Sequence, residues 1–142
     1  MKSGYLFLET HAEHPGMVRC LTQDRMPSTT EKAAGTEVRY IARFKDIEAA
    51  QMHVHNSLRH LLVDIDEHLY RVELAQALAA VESDELSHEQ VWIDDNLNSE
   101  ERRRVKSLTD DYRLKRRRQD LIWRAVGAVA LVMLLLGLLG VF

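Results

Sequence analysis

Residues 125–142 read AVGAVALVMLLLGLLGVF, eighteen positions without a single charge. In lipid no water is present to satisfy a peptide group, so an uncharged apolar run of this length predicts a helix that crosses a bilayer. Such a helix is roughly 27 Å long, against a hydrocarbon core of about 30 Å. Eleven of the eighteen residues are Leu, Val or Phe, each favouring insertion by about 0.3–0.6 kcal/mol. The competing reading is a core helix wrapped by the rest of the chain, which is short and only moderately apolar for that task. The expectation is a tail anchor over residues 121–142.

A basic flank sets the expected orientation. Arg113, Lys115, Arg116, Arg117 and Arg118 precede the apolar run, and Arg124 stands at its edge. Positive residues beside a spanning helix stay on the cytoplasmic side, so the remainder of the chain is expected to face the cytoplasm as a single-pass protein. Each such cation beside a membrane attracts anionic headgroups by about 1 kcal/mol, which makes membrane lipids the first expected partner. The opening MKSGYLFLETH lacks the apolar core of a signal peptide. A single cysteine, Cys20, rules out an internal disulfide and fits a reducing compartment.

Charge divides the chain at the same place. Residues 1–98 carry nine Lys and Arg against seventeen Asp and Glu, whereas residues 99–124 carry ten against five. Phosphate neutralisation supplies most of the affinity of a nucleic-acid binder. The first segment has the wrong sign for that as a whole, which leaves only a local patch open to nucleic acid.

Periodicity organises the first segment into one small domain. YLFLE at residues 5–9 is rich in strand formers, HAEHPG is a turn, and residues 18–21 supply a hairpin partner. In TEVRYIARF, Val38, Tyr40, Ala42 and Phe44 alternate with polar residues, predicting a strand with one buried face. Asp46 caps a helix expected to reach residue 62, in which Ile47, Ala50, Val54, Leu58, Leu61 and Leu62 recur at helical spacing. A short strand near residues 69–72 and a helix over 73–81 follow. The stretch 84–98 reads as a connector with Trp92 free to dock. Residues 99–120 read as a basic helical stalk opened by Ser99, with Glu100 and Glu101 in its first turn. The fold expected is α+β, a small antiparallel sheet with flanking helices over residues 1–83, then connector, stalk and span.

That order, with Gly4-Tyr5-Leu6-Phe7-Leu8 followed by Pro15-Gly16-Met17-Val18-Arg19-Cys20, resembles the opening hairpin of the GIY-YIG nuclease superfamily, in its phage-type and meiotically up-regulated branch. The resemblance runs over residues 4–83 and includes His55, at a position that is commonly histidine, and LYRVELAQALAAV. It implies a metal-dependent DNA endonuclease in which a tyrosine relays a proton, an arginine stabilises phosphate charge and a glutamate holds Mg²⁺. No catalytic residue is expected on this chain; if the site were active, Tyr5 would hold its place, and Arg25 and Glu48 would substitute from neighbouring positions. Several of the family's letters are replaced: the second aromatic of the first motif is Phe7, the YIG triplet is Arg19-Cys20-Leu21, the arginine position falls near Thr30, and the metal position near Gln51. An amide holds a hard cation more weakly than a carboxylate. The resemblance therefore implies a degenerate, non-catalytic domain that serves as an interaction module and needs no cofactor. The alternatives are a membrane-tethered nuclease and a structural subunit of a membrane complex.

Other candidate sites are sparse. His53 and His60 share a helical face, seven residues apart, while His55 points elsewhere. With no ligand pair at i and i+4 and no Cys/His motif, no metal is expected. Cys20 reads as a packing residue. Val105, Leu108 and Tyr112 offer a short apolar seam for self-association of the stalk. Gly127, Ala128, Gly137 and Gly140 offer small surfaces in the span to a protein partner, such as another membrane protein.

Overall fold

The computed structural model describes residues 1–30 and 33–140. Strands β1 (Gly4–His11), β2 (Val18–Gln23) and β3 (Thr36–Phe44) lead into helix α1 (Ile47–Leu58) and a short 3-10 turn, Arg59–Leu61. Strands β4 (Leu62–Asp64) and β5 (Leu69–Tyr70), helix α2 (Leu74–Glu82), strand β6 (His88–Ile93) and helix α3 (Ser99–Leu138) complete the order. The strands form one antiparallel sheet, β4-β5-β2-β1-β3-β6. The class is α+β, as the alternation in Thr36–Phe44 and the helical spacing after Asp46 predict.

Side chains alternate across the sheet, and the alternation sorts them into two layers. Leu6, Leu8, Cys20, Tyr40, Ala42 and Phe44 point to the helices and pack with Ile47, Ala50, Val54 and Leu58 of α1 and Ala77, Leu78, Ala80 and Val81 of α2. Gly4 shares this face. A Cβ there would stand 3.1 Å from both the Ile47 side chain and the Gln23 carbonyl oxygen, so glycine lets α1 start close to β1 without displacing either neighbour. The Asp46 carboxylate accepts from the Ala49 amide at 3.2 Å, closing the first turn of α1. The other face carries a row of directly paired residues, Leu21, Phe7, Ile41 and Trp92, running across four strands. β2 and β3 lie on either side of β1 and point the same way, so the connection from Gln23 to Thr36 must return along the length of β1. Phe7 and Ile41 on this second face are buried, as is Pro27 in the connection.

Three expectations are corrected. The connector of residues 84–98 contains β6, which pairs with β3 and places Trp92 opposite Ile41. α1 stops at Leu58, and its last expected turn becomes the 3-10 turn. The cap of α3 is Asn98, one residue before Ser99. Its side chain accepts from the Glu101 amide at 2.8 Å while the Glu101 carboxylate accepts from the Asn98 amide at 3.0 Å, a reciprocal capping box.

The stalk is also not free. Val105, Leu108, Thr109, Tyr112 and Arg116 are its covered positions, spaced three and four apart, and α2 is the helix they meet. The short apolar seam of Val105, Leu108 and Tyr112 is used within one chain. α2 is rich in alanine, and its Ala77, Ala79 and Ala80 are buried to 1% or less, so sheet and α3 can both approach it closely. α3 then continues without interruption into the apolar sequence. Its most apolar eighteen-residue window has a mean hydropathy of 2.3 and none of it is buried. A core helix would be covered, so the remaining reading is one candidate membrane-spanning helix.

Candidate functional site

Where α1 ends, its polar side faces the last covered turns of α3 across an open cleft of about 590 Å³. α1 and the turn after it contribute His53, Asn56, Ser57, Arg59 and His60; α3 contributes Tyr112, Lys115, Arg116 and Gln119; Glu85 comes from the α2–β6 link. The α3 members recur at three and four residues and so occupy one stripe of the helix. His53 and His60 both line it, on the shared side that their seven-residue spacing predicts. Among the described residues, Glu85 is the carboxylate in the lining, against Arg59, Lys115 and Arg116. The cleft is thus a basic, donor-rich surface on a domain that is acidic as a whole.

Its walls are held by specific contacts. The His53 Nδ1 lies 3.0 Å from the Oδ1 of Asp84, a side chain that is 1% exposed. A carboxylate only accepts, so Nδ1 carries the proton and Nε2 is left free of that contact. The same carboxylate oxygen accepts from the Leu86 amide at 3.1 Å. Arg116 donates to the Ser83 carbonyl at 3.1 Å, and Arg113 to the Glu82 carbonyl at 3.3 Å. These are carbonyls at the C-terminal end of α2, where a cation satisfies acceptors left without helical partners and meets the negative end of the helix dipole. Two residues expected to serve only as membrane flank therefore also fasten α3 to the domain. Lys115, Arg117, Arg118 and Arg124 are exposed. Tyr112 accepts from the Gln76 amide nitrogen at 3.3 Å, so its own hydroxyl proton remains available to the cleft.

Beside the cleft, the buried Tyr40 donates a hydrogen bond to the half-buried Glu82, and His88 approaches the other Glu82 oxygen at 4.0 Å. His88 donates from Nδ1 to the Leu86 carbonyl at 2.8 Å and stacks on Phe44. The neighbouring Glu82 carboxylate raises the pKa of His88, and His88 in turn holds the Glu82 carboxyl below its usual range. Burial, reinforced by Glu82, raises the Tyr40 phenol far beyond neutral pH, so it stays a donor. This network joins β3, α2 and β6.

The residues that the nuclease resemblance implies are not brought together. Tyr5 alternates with Leu6 and so projects from the face opposite the helices, Glu48 is exposed on α1 over the other face, and Arg25 is exposed in the β2–β3 connection. Glu48 instead lines a shallow hollow with Gln51, Met52, His55, Ile65 and His68. There the Gln51 amide lies 3.2 Å from the His68 ring, and His55 pairs with the Tyr70 hydroxyl at 3.0 Å. Among the described residues, no three His, Cys, Asp or Glu side chains are grouped so as to hold a metal ion. Cys20 is fully buried, which pushes its thiol up to about 12 and leaves it protonated and inert.

In the span, the four small residues do not make one surface. Ala128 and Gly137 are nine residues apart, about half a turn around the helix at roughly 100° per residue. Gly140 lies past the helix end at φ +68°, where it terminates α3.

The fold and cleft define an acidic α+β domain fastened to one candidate membrane-spanning helix. No family model, no curated protein and no solved structure matches the chain.

Proposed function

We propose that this protein is a membrane-anchored interaction module. Its domain faces the cytoplasm, the apolar end of α3 sits in the bilayer, and a protein partner, such as another membrane protein, is its target. The observation that carries the reading is the continuity of α3, whose first turns pack on α2 while its uncovered remainder has the length and composition of a span. Trp123, 73% exposed just before that remainder, suits the level of the headgroups, where amphipathic rings are enriched. Anchored this way, the domain has a set height and tilt at the surface instead of hanging on a flexible tether.

A degenerate relationship to the GIY-YIG nucleases is part of the proposal. The placement of Tyr5 and Glu48 on opposite faces of the sheet supports a binding role over cleavage. Two measurements test the reading. The full chain should stay with membranes through alkaline carbonate extraction, and protease added to the cytoplasmic side should digest the domain. Extraction into the supernatant would remove the anchor. Purified full chain with Mg²⁺ or Mn²⁺ should leave plasmid and single-stranded DNA intact; cleavage lost in both Tyr5→Phe and Glu48→Ala would establish the nuclease alternative instead.

A further inference from the structure

We propose that the cleft between α1 and α3 is a binding site for a lipid headgroup ending in a phosphomonoester. This inference rests on the membrane reading above and adds the ligand class and the site. Three observations converge on it. First, the cations Arg59, Lys115 and Arg116 outnumber the carboxylates of Glu85 in the lining and of Asp84 behind His53, a net positive charge that favours the phosphomonoester, which carries about −1.5 to −2 near pH 7. A phosphodiester carries half of that, and a choline headgroup has no net charge.

Second, the lining supplies donors in the number that three phosphate oxygens require. Arg116 uses one nitrogen on the Ser83 carbonyl and keeps the rest of its five N–H groups. Asn56, Ser57, Arg59, Lys115 and the Tyr112 hydroxyl add others from the two walls. The cleft volume, about 590 Å³, lies within the usual range for small-molecule sites, roughly 300–1,000 Å³.

Third, the cleft is in the right place. Gln119, its last α3 residue, precedes the exposed Leu121 by two positions, about 3 Å along the axis, and Lys115 lies about 9 Å from it. The headgroup layer is about 5–8 Å deep on each side of the hydrocarbon, so the Gln119 end of the cleft borders the layer in which lipid phosphates are presented. The sequence shows a basic flank; the structure turns part of it into a concave site with a second wall.

The test uses full-length protein in a neutral maltoside detergent, titrated calorimetrically with dioctanoyl phosphatidic acid, dioctanoyl phosphatidylglycerol, dioctanoyl phosphatidylcholine and inorganic phosphate. Saturable binding is expected for phosphatidic acid, at least tenfold tighter than for phosphatidylglycerol, with none for phosphatidylcholine. Arg59→Gln with Lys115→Gln should weaken it at least tenfold, whereas Arg117→Gln with Arg118→Gln, which removes equal charge outside the cleft, should weaken it less than threefold. Arg59 and Lys115 are exposed, and circular dichroism of each variant confirms the fold. Equal losses in the two pairs would reduce the effect to a diffuse basic flank and overturn the site. Inorganic phosphate binding as tightly as the lipid would overturn the lipid assignment, and absence of saturable binding would overturn the proposal entirely. Carbonate extraction of the same membranes separates the two readings: a retained chain that binds no lipid loses the cleft site alone, whereas a released chain loses the anchor.

Discussion

At the scale of single residues, the polar groups that matter are half-buried pairs that join different elements. His88 and Glu82 are the clearest case. The folded-state pKa of His88 is raised, so its contribution to stability is complete below its ordinary value of about 6.5 and disappears as pH rises through the raised value. Glu82 is lowered, so its contribution is complete above its ordinary value near 4.3 and disappears as pH falls through the lowered one. Both are present together between those ordinary values. Glu82→Gln removes the charge that His88 and Tyr40 share, and hydrogen bonds to buried charged groups contribute about 1.5–3 kcal/mol. The variant should therefore melt lower than wild type by the largest margin near pH 5–6, with the gap narrowing in alkaline buffer. Trp92 fluorescence in a Trp123→Phe background reads the midpoint; a gap independent of pH would exclude the pair as its source. Asn98→Ala should cost about 1 kcal/mol through the lost capping box, by the same readout.

At the scale of elements, α3 belongs to the domain for its first turns and to the apolar segment thereafter. The seam Val105, Leu108 and Tyr112 is too short for a coiled coil, and its partner is α2. Arg113 and Arg116 extend that contact by bonding the end of α2. Val105→Asp places a carboxylate against the apolar core that Val105 helps to cover, a change expected to cost about 2–3 kcal/mol. Trypsin should resist cutting after Arg102, Arg103, Arg104 and Lys106 in the wild type and cut there readily in the variant. Equal cleavage of both would mean that the docking of α3 is weak. β6 shows a related lesson. HEQVWI has apolar residues only at Val91, Trp92 and Ile93 and alternates poorly, so its strand state arises from the free edge of β3 and not from its own pattern.

At the scale of the whole molecule, the boundary of the domain falls inside α3. A fragment of residues 1–98 exposes the face of α2 that Val105, Leu108 and Tyr112 cover and loses the two arginines on its C-terminus. It should be aggregation-prone or partly unfolded, whereas residues 1–120 should be soluble, folded and monomeric. Sedimentation and amide exchange on both fragments check this. A well-folded 1–98 would restore the view of residues 99–120 as an independent stalk.

The apolar run, the charge division and the main elements were legible in the sequence because each is a local signal: an uncharged length, a period of two, a period of three to four. The core faces of β3 and α1 follow from those periods, and Tyr40, Ala42, Phe44, Ala50, Val54 and Leu58 are buried accordingly. The candidate site was visible only as fragments, a basic flank and two histidines seven apart. Asp84 lies thirty-one residues from His53, and Arg59 and Lys115 are far apart along the chain; no local period links them. Their meeting depends on how α1, α2 and α3 pack, as does the separation of Tyr5 from Glu48 by the sheet. The sequence by itself determined that this chain has a domain and an apolar helix with a basic flank between them, because hydrophobicity and charge are additive along a chain. Only the tertiary structure decided which flank residues serve the domain, which line a cleft, and which remain free, because that depends on packing between elements distant in sequence.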